Sequence, residues 1–299
     1  MSGEDIAGLA FVAVGELALV LVGLTGPEIL AALGHAAGGA GSASALRRSA
    51  RLWRSAARSA LLLGALAALE GLVTLIASTT GPDVFMPGLG QRVPPVAATL
   101  ALWATLSLPV VRLLRRAEAA VEDGDVPPAA SAAGRWLRVE RWLGYGLLLA
   151  ILVRPVVLLP QSARLRSLEM LLHWPAWLVV AGGALAVLLY LGRPLAASLS
   201  LGLACAGLLG GLFGLAQAFH GFAGQSFAAL VGGMAQAISS CFAALCGLAL
   251  FAVPLEDPGE DPPPVLARAC SFAWSGLPLF SLAVVVLAIV LSLIPMRMR

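Results

Sequence analysis

Between Cys205 and Leu255 the chain reads CAGLLGGLFGLAQAFHGFAGQSFAALVGGMAQAISSCFAALCGLALFAVPL, two apolar runs joined by the short loop HGFAGQS. Each run is as long as the roughly 17–25 residues that a helix needs to cross hydrocarbon. The first is studded with Gly207, Gly210, Gly211 and Gly214. The second carries Gly233, Gln236, Ser239, Ser240, Cys241 and Gly247 and closes at Pro254. In lipid, water exclusion does not drive helices together, and small residues at helical spacing let backbones approach closely enough for dispersion to do so. A packed helical hairpin inside a membrane is the expectation for this stretch, with these six glycines as its packing positions.

The rest of the chain fits the same solvent. Hydrophobic residues make up 60% and charged residues 12%, about half the charged share of an ordinary soluble domain. The fold class expected is an all-α, polytopic membrane bundle of about eight spans. These are Ile6–Leu24, Ser59–Ser78, Val93–Leu114, Trp142–Leu159, Leu168–Leu191, the opening pair, and Phe272–Ile294. Arg47, Arg48, Arg51, Arg54 and Arg58 precede the second span, and Arg112, Arg115 and Arg116 close the third, which puts both segments on the cytoplasmic side by the positive-inside rule. The acidic start MSGEDIAG lacks the basic region of a cleaved leader, so the first run reads as a retained helix. A span over Glu28–Leu46 would make nine and move the N-terminus inside. The Gly-rich HAAGGAGSAS within it speaks against that alternative.

Two halves emerge when the chain is laid on itself. Gly64–Gly71 falls on Gly207–Gly214 at an offset of 143, and Gly88–Pro109 falls on Gly233–Pro254 at an offset of 145. In that register Gly88 meets Gly233, Gln91 meets Gln236 and Pro109 meets Pro254. Four spans separate the first helices of the two copies, so the repeat is parallel. The organisation expected is a first membrane repeat over 1–116, a polar cytoplasmic linker over 117–141, and a second repeat over 142–255. An acidic, Pro-rich loop over 256–271 and a final membrane helix over 272–299 follow.

The second repeat resembles the last two membrane helices of the MotA/TolQ/ExbB proton-channel family. The family's G-L-L-G-T-V-x-G pattern is matched by Gly207, Leu208, Leu209, Gly210, Gly211, Leu212, Phe213 and Gly214. Its final-helix pattern is matched by Gly233, Met234, Ala235, Ala237, Ile238 and Pro254, and LLHWPAWLVVAGGALAVLL resembles an earlier Pro-apolar-Gly-Gly helix of MotA-type members. The resemblance implies a multi-pass subunit of the bacterial inner membrane in an oligomeric, proton-driven complex. It also implies a single-span, Asp-bearing partner of the ExbD/TolR/MotB kind. The family's pore threonines fall here on Gly211, on Ala68 of the first copy, and near Cys241, Ser239 or Ser240.

Glu70 and Glu16 are the acids nearest the middle of expected spans. A charge at mid-bilayer is costly and burial there disfavours the ionised form, so both are candidates for a proton path. Ser239, Ser240, Cys241 and Gln236 complete the candidate set, with packing glue as the simpler role for these four. Cys205, Cys241, Cys246 and Cys270 show no CxxC spacing, and His35, His173 and His220 are scattered. No metal site, no cofactor and no nucleic-acid partner is expected. No nucleophile elbow, P-loop or zincin motif is present, so an enzyme is not expected. A self-contained permease using Glu16 and Glu70, and a non-conducting scaffold, are the alternatives to the proton-driven subunit.

Overall fold

The structure is a computed structural model, and it describes residues 26–78, 93–122, 146–147, 150, 173–191, 195–224, 226–252 and 264–293. Every element among the described residues is helical: α1 Gly26–Ala36, α2 Ala43–Ser78, α3 Val93–Glu122, α4 Trp174–Leu191, α5 Leu195–Ala223, α6 Phe227–Gly247 and α7 Pro264–Leu293. Five of these are long and apolar enough to cross a membrane, α2 to α6, and a multi-pass membrane helical bundle follows. The expected spans over Ile6–Leu24 and Trp142–Leu159 lie outside the described residues, apart from residues 146, 147 and 150.

Several boundaries differ from the sequence expectation. The arginine-rich segment and the second span form one helix, the 36-residue α2. At 1.5 Å per residue it is about 54 Å long, far more than the ~30 Å hydrocarbon core. Alanines and serines between the arginines leave nothing to break it. Nor is the Glu28–Leu46 stretch one helix: α1 has 11 residues, too few to span, and Gly38 follows at φ 109°, a left-handed conformation natural to glycine at a helix end. The third span runs on to Glu122, so residues 117–122 of the expected linker are helical. The final helix starts at Pro264, where a missing N–H costs nothing in a first turn, and takes in residues 264–271 of the expected loop. The HGFA of the expected α5–α6 loop belongs to α5. Ser226 caps α6, its hydroxyl accepting from the Ala229 N–H at 3.4 Å. After Gly247 the helix widens into a π turn over Leu248–Ala252.

Two helical hairpins dominate the packing, α2 with α3 and α5 with α6; α4 lies against α5, and α7 touches both α2 and α5. A single apolar core joins them, from Leu61–Leu75 of α2 through Ile238–Cys246 of α6 and Leu248 and Ala249 of the π turn to Ala273–Ala288 of α7. Of the membrane-capable helices, α2 is the most enclosed and α4 the least. A smaller cluster of Leu46, Ala50, Leu113 and Ala117 closes one end of the α2–α3 hairpin.

Candidate functional site

Glycine decides where the helices touch. A Cβ added at Gly207 would sit 2.5 Å from the Ala244 Cβ, and one at Gly210 would sit 2.5 Å from the Ser240 Oγ. At Gly214 and Gly233 it would run into backbone, Ala237 and Ala218 respectively, and at Gly221 into Leu230. Position numbers therefore climb on α5 as they fall on α6, which makes the pair antiparallel with one unbroken register. Gly207, Gly210, Gly214 and Gly221 follow a spacing of three, four and seven, the seam of a left-handed helix pair.

The other two glycines meet larger side chains. Gly211 faces the Phe280 ring of α7 and the Cys241 Sγ, and Gly247 faces Leu203. The position corresponding to a pore threonine in the resemblance is thus closed by an aromatic side chain. Gly183 and Gly202 add a similar close approach between α4 and α5, against Ala206 and Ala184.

The α2–α3 hairpin has one comparable contact. Gly64 faces the Thr99 side chain so closely that a Cβ has no room. Gly207 lies 143 residues after Gly64, and Ala244 lies 145 after Thr99. These are the two offsets of the sequence alignment, so the two contacts fall at matched positions of that alignment.

Among the candidate path residues, Ser239, Ser240 and Cys241 are buried in the core face of α6 and Gln236 is half-buried. Ser240 Oγ is fully enclosed and makes no hydrogen bond, held against Gly210. Ser281 Oγ of α7 donates to the Leu277 carbonyl at 2.8 Å. Cys205, Cys241 and Cys246 are free thiols. Glu70 is half-buried on α2 and has a polar partner. With Gly64 opposite Thr99 in an antiparallel pair, Glu70 comes level with Val93, the first residue of α3. Glu16 lies outside the described residues. No group of three or more His, Cys, Asp or Glu suited to a metal ion occurs among the described residues.

One polar cluster went unnoticed in the sequence. Arg116 of α3 donates to the carbonyls of His35 at 2.8 Å and Gly39 at 2.7 Å, and more weakly to Gly38. The His35 carbonyl, in the last turn of α1, also accepts from the Gly38 N–H at 3.2 Å, and Gly38 and Gly39 lie just past the helix end. The same end is fixed to α2 by Trp53 Nε1 donating to the Ala32 carbonyl at 3.2 Å and by His35 Nδ1 on Ser49 Oγ at 2.7 Å. The usable signal was the glycine run at 38–41, where a helix must stop and expose acceptors.

No family model, no curated protein and no solved structure matches the chain.

Proposed function

We propose that this chain is a multi-pass subunit of a proton-driven membrane complex of the MotA/TolQ/ExbB kind, built from a duplicated, glycine-seamed hairpin. It would sit in a bacterial inner membrane as part of an oligomer and take its ionisable carboxylate from a single-span, Asp-bearing partner. One observation supports this reading: Gly64 packs against Thr99 and Gly207 against Ala244, contacts that fall at matched positions when the two halves of the sequence are laid on each other. A second supports the oligomer. Leu209, Leu212 and Phe213 of α5 are exposed, as are Leu178, Val179, Leu185 and Leu189 of α4. Such an apolar outer face suits lipid or neighbouring subunits.

A second reading, a non-conducting scaffold, is favoured by a specific feature. Ser240 is closed in against Gly210, and Gly211 is covered by Phe280, so the hydroxyls nearest the expected path are packed rather than lined up along a channel. The two readings part experimentally. Affinity purification from native membranes should bring down a single-span protein with a membrane Asp, and the reconstituted pair should pass protons down an imposed gradient. Recovery of the partner without proton flux would favour the scaffold. Homo-oligomers alone, with no flux, would overturn the proton-driven role.

A further inference from the structure

We propose that the end of the α1–α2–α3 unit carrying the arginines is a docking collar for anionic lipid headgroups. Two sets of contacts put the three helices in a common register. Gly64 opposes Thr99, which brings Leu108 level with Ser55 and Val111 level with Leu52. Trp53 bonds to Ala32 and His35 to Ser49, so α1 also runs antiparallel to α2 and brings Leu30 and Leu33 to those same two levels. Leu30, Leu33, Leu108 and Val111 are 71%, 48%, 62% and 53% exposed. Four large apolar side chains from two helices thus form an exposed ring spanning two levels about one helical turn apart.

Arginines stand at the adjoining height. Arg47 and Arg48 of α2 and Arg112 and Arg115 of α3 stand there, Arg54 lies within the apolar levels, and all five are exposed; the register sets Arg112 level with Arg51 and Arg115 level with Arg48. Across these levels Glu118, just beyond, is the exposed acid among the described residues. The third arginine of the α3 group, Arg116, instead holds α1 against the hairpin, which keeps Leu30 and Leu33 in the ring. An apolar ring capped by a basic one is the arrangement that seats in the boundary between acyl chains and anionic headgroups. Guanidinium forks pair bidentately with phosphate, and long stems let Arg54 reach past the apolar level.

The collar also fixes depth. Glu70 lies 18 residues beyond Leu52 on α2, about 27 Å at helical rise, so the far edge of a ~30 Å hydrocarbon layer falls near it. Glu70 then meets the opposite interface rather than the bilayer centre.

The test uses the full chain in nanodiscs of phosphatidylcholine with increasing phosphatidylglycerol, reading retained lipid by native mass spectrometry and the thermal midpoint in parallel. Wild type should retain phosphatidylglycerol over phosphatidylcholine. The triple variant R47Q/R48Q/R54Q should lose that preference by roughly fivefold for each arginine removed. R112Q/R115Q, on the other helix, should lose it as well and guards against a folding defect in α2. Soluble glycerol phosphate, offered at equal concentration, should not compete. Equal phosphatidylglycerol retention by wild type and both variants would overturn the collar. So would competition by glycerol phosphate, which marks a free-phosphate site, or protection of the arginines by an acidic protein that excludes lipid.

Discussion

At the residue scale, the glycines divide by what lies opposite them. Gly214 and Gly233 face backbone of the neighbouring helix, so neither can accept a side chain without separating α5 from α6. Gly214→Leu or Gly233→Leu should cost about 3 kcal/mol or more, at the upper end of overpacking, read as early unfolding in detergent. Gly232 and Gly182 have nothing within 4 Å of an added Cβ. Gly232→Ala should therefore stabilise α6 by about 0.5–1 kcal/mol, since it only removes chain entropy from the unfolded state. Equal effects at Gly232 and Gly233 would refute the seam. Thiol accessibility gives an independent check: in a C270S background, maleimide should modify the half-buried Cys205 well before Cys241 or Cys246, which are buried. Much of this was legible in the sequence, because glycine at three- and four-residue spacing has one common use in lipid. The division of labour was not: Gly211 is adjacent to Gly210 in the chain yet points 100° away around the helix, to an α7 residue whose approach no spacing announces.

At the element scale, α2 shows why a hydropathy reading stops short. Residues 47–58 hold five arginines among alanines, serines, Leu52 and Trp53, so hydropathy ends the span there while helix propensity does not. One continuous helix results, and the arginines ride beyond the apolar segment on the same rod. Ala57→Pro at the junction should break it at a cost of about 3 kcal/mol, measured as loss of helical ellipticity and of the thermal midpoint; an unchanged midpoint would mean that two separate helices meet there. α1 was hidden for a different reason. It is too short to read as a span and is held by Arg116, Trp53 and Ser49, contacts between residues up to 81 apart in sequence. Arg116→Gln should loosen it, raising hydrogen exchange over residues 26–42 by about tenfold or more, the worth of two charge-assisted bonds, while exchange in α5 and α6 stays unchanged.

Across the whole molecule, the halves are not separate bodies. Helix α7, which the sequence presented as a lone final span, packs on both α2 and α5, with Leu277 against Gly207 and Phe280 against Gly211. On the proposed reading both hairpins share one register, a glycine of the first helix against a small residue of the second. A paired double-mutant cycle in nanodiscs tests it most directly, combining Gly64→Ala with Thr99→Gly in one hairpin and Gly207→Ala with Ala244→Gly in the other. Each glycine variant should be destabilised alone and partly rescued by the space made opposite, with a coupling of at least about 1 kcal/mol in both hairpins. Additive effects in either hairpin would contradict a shared register.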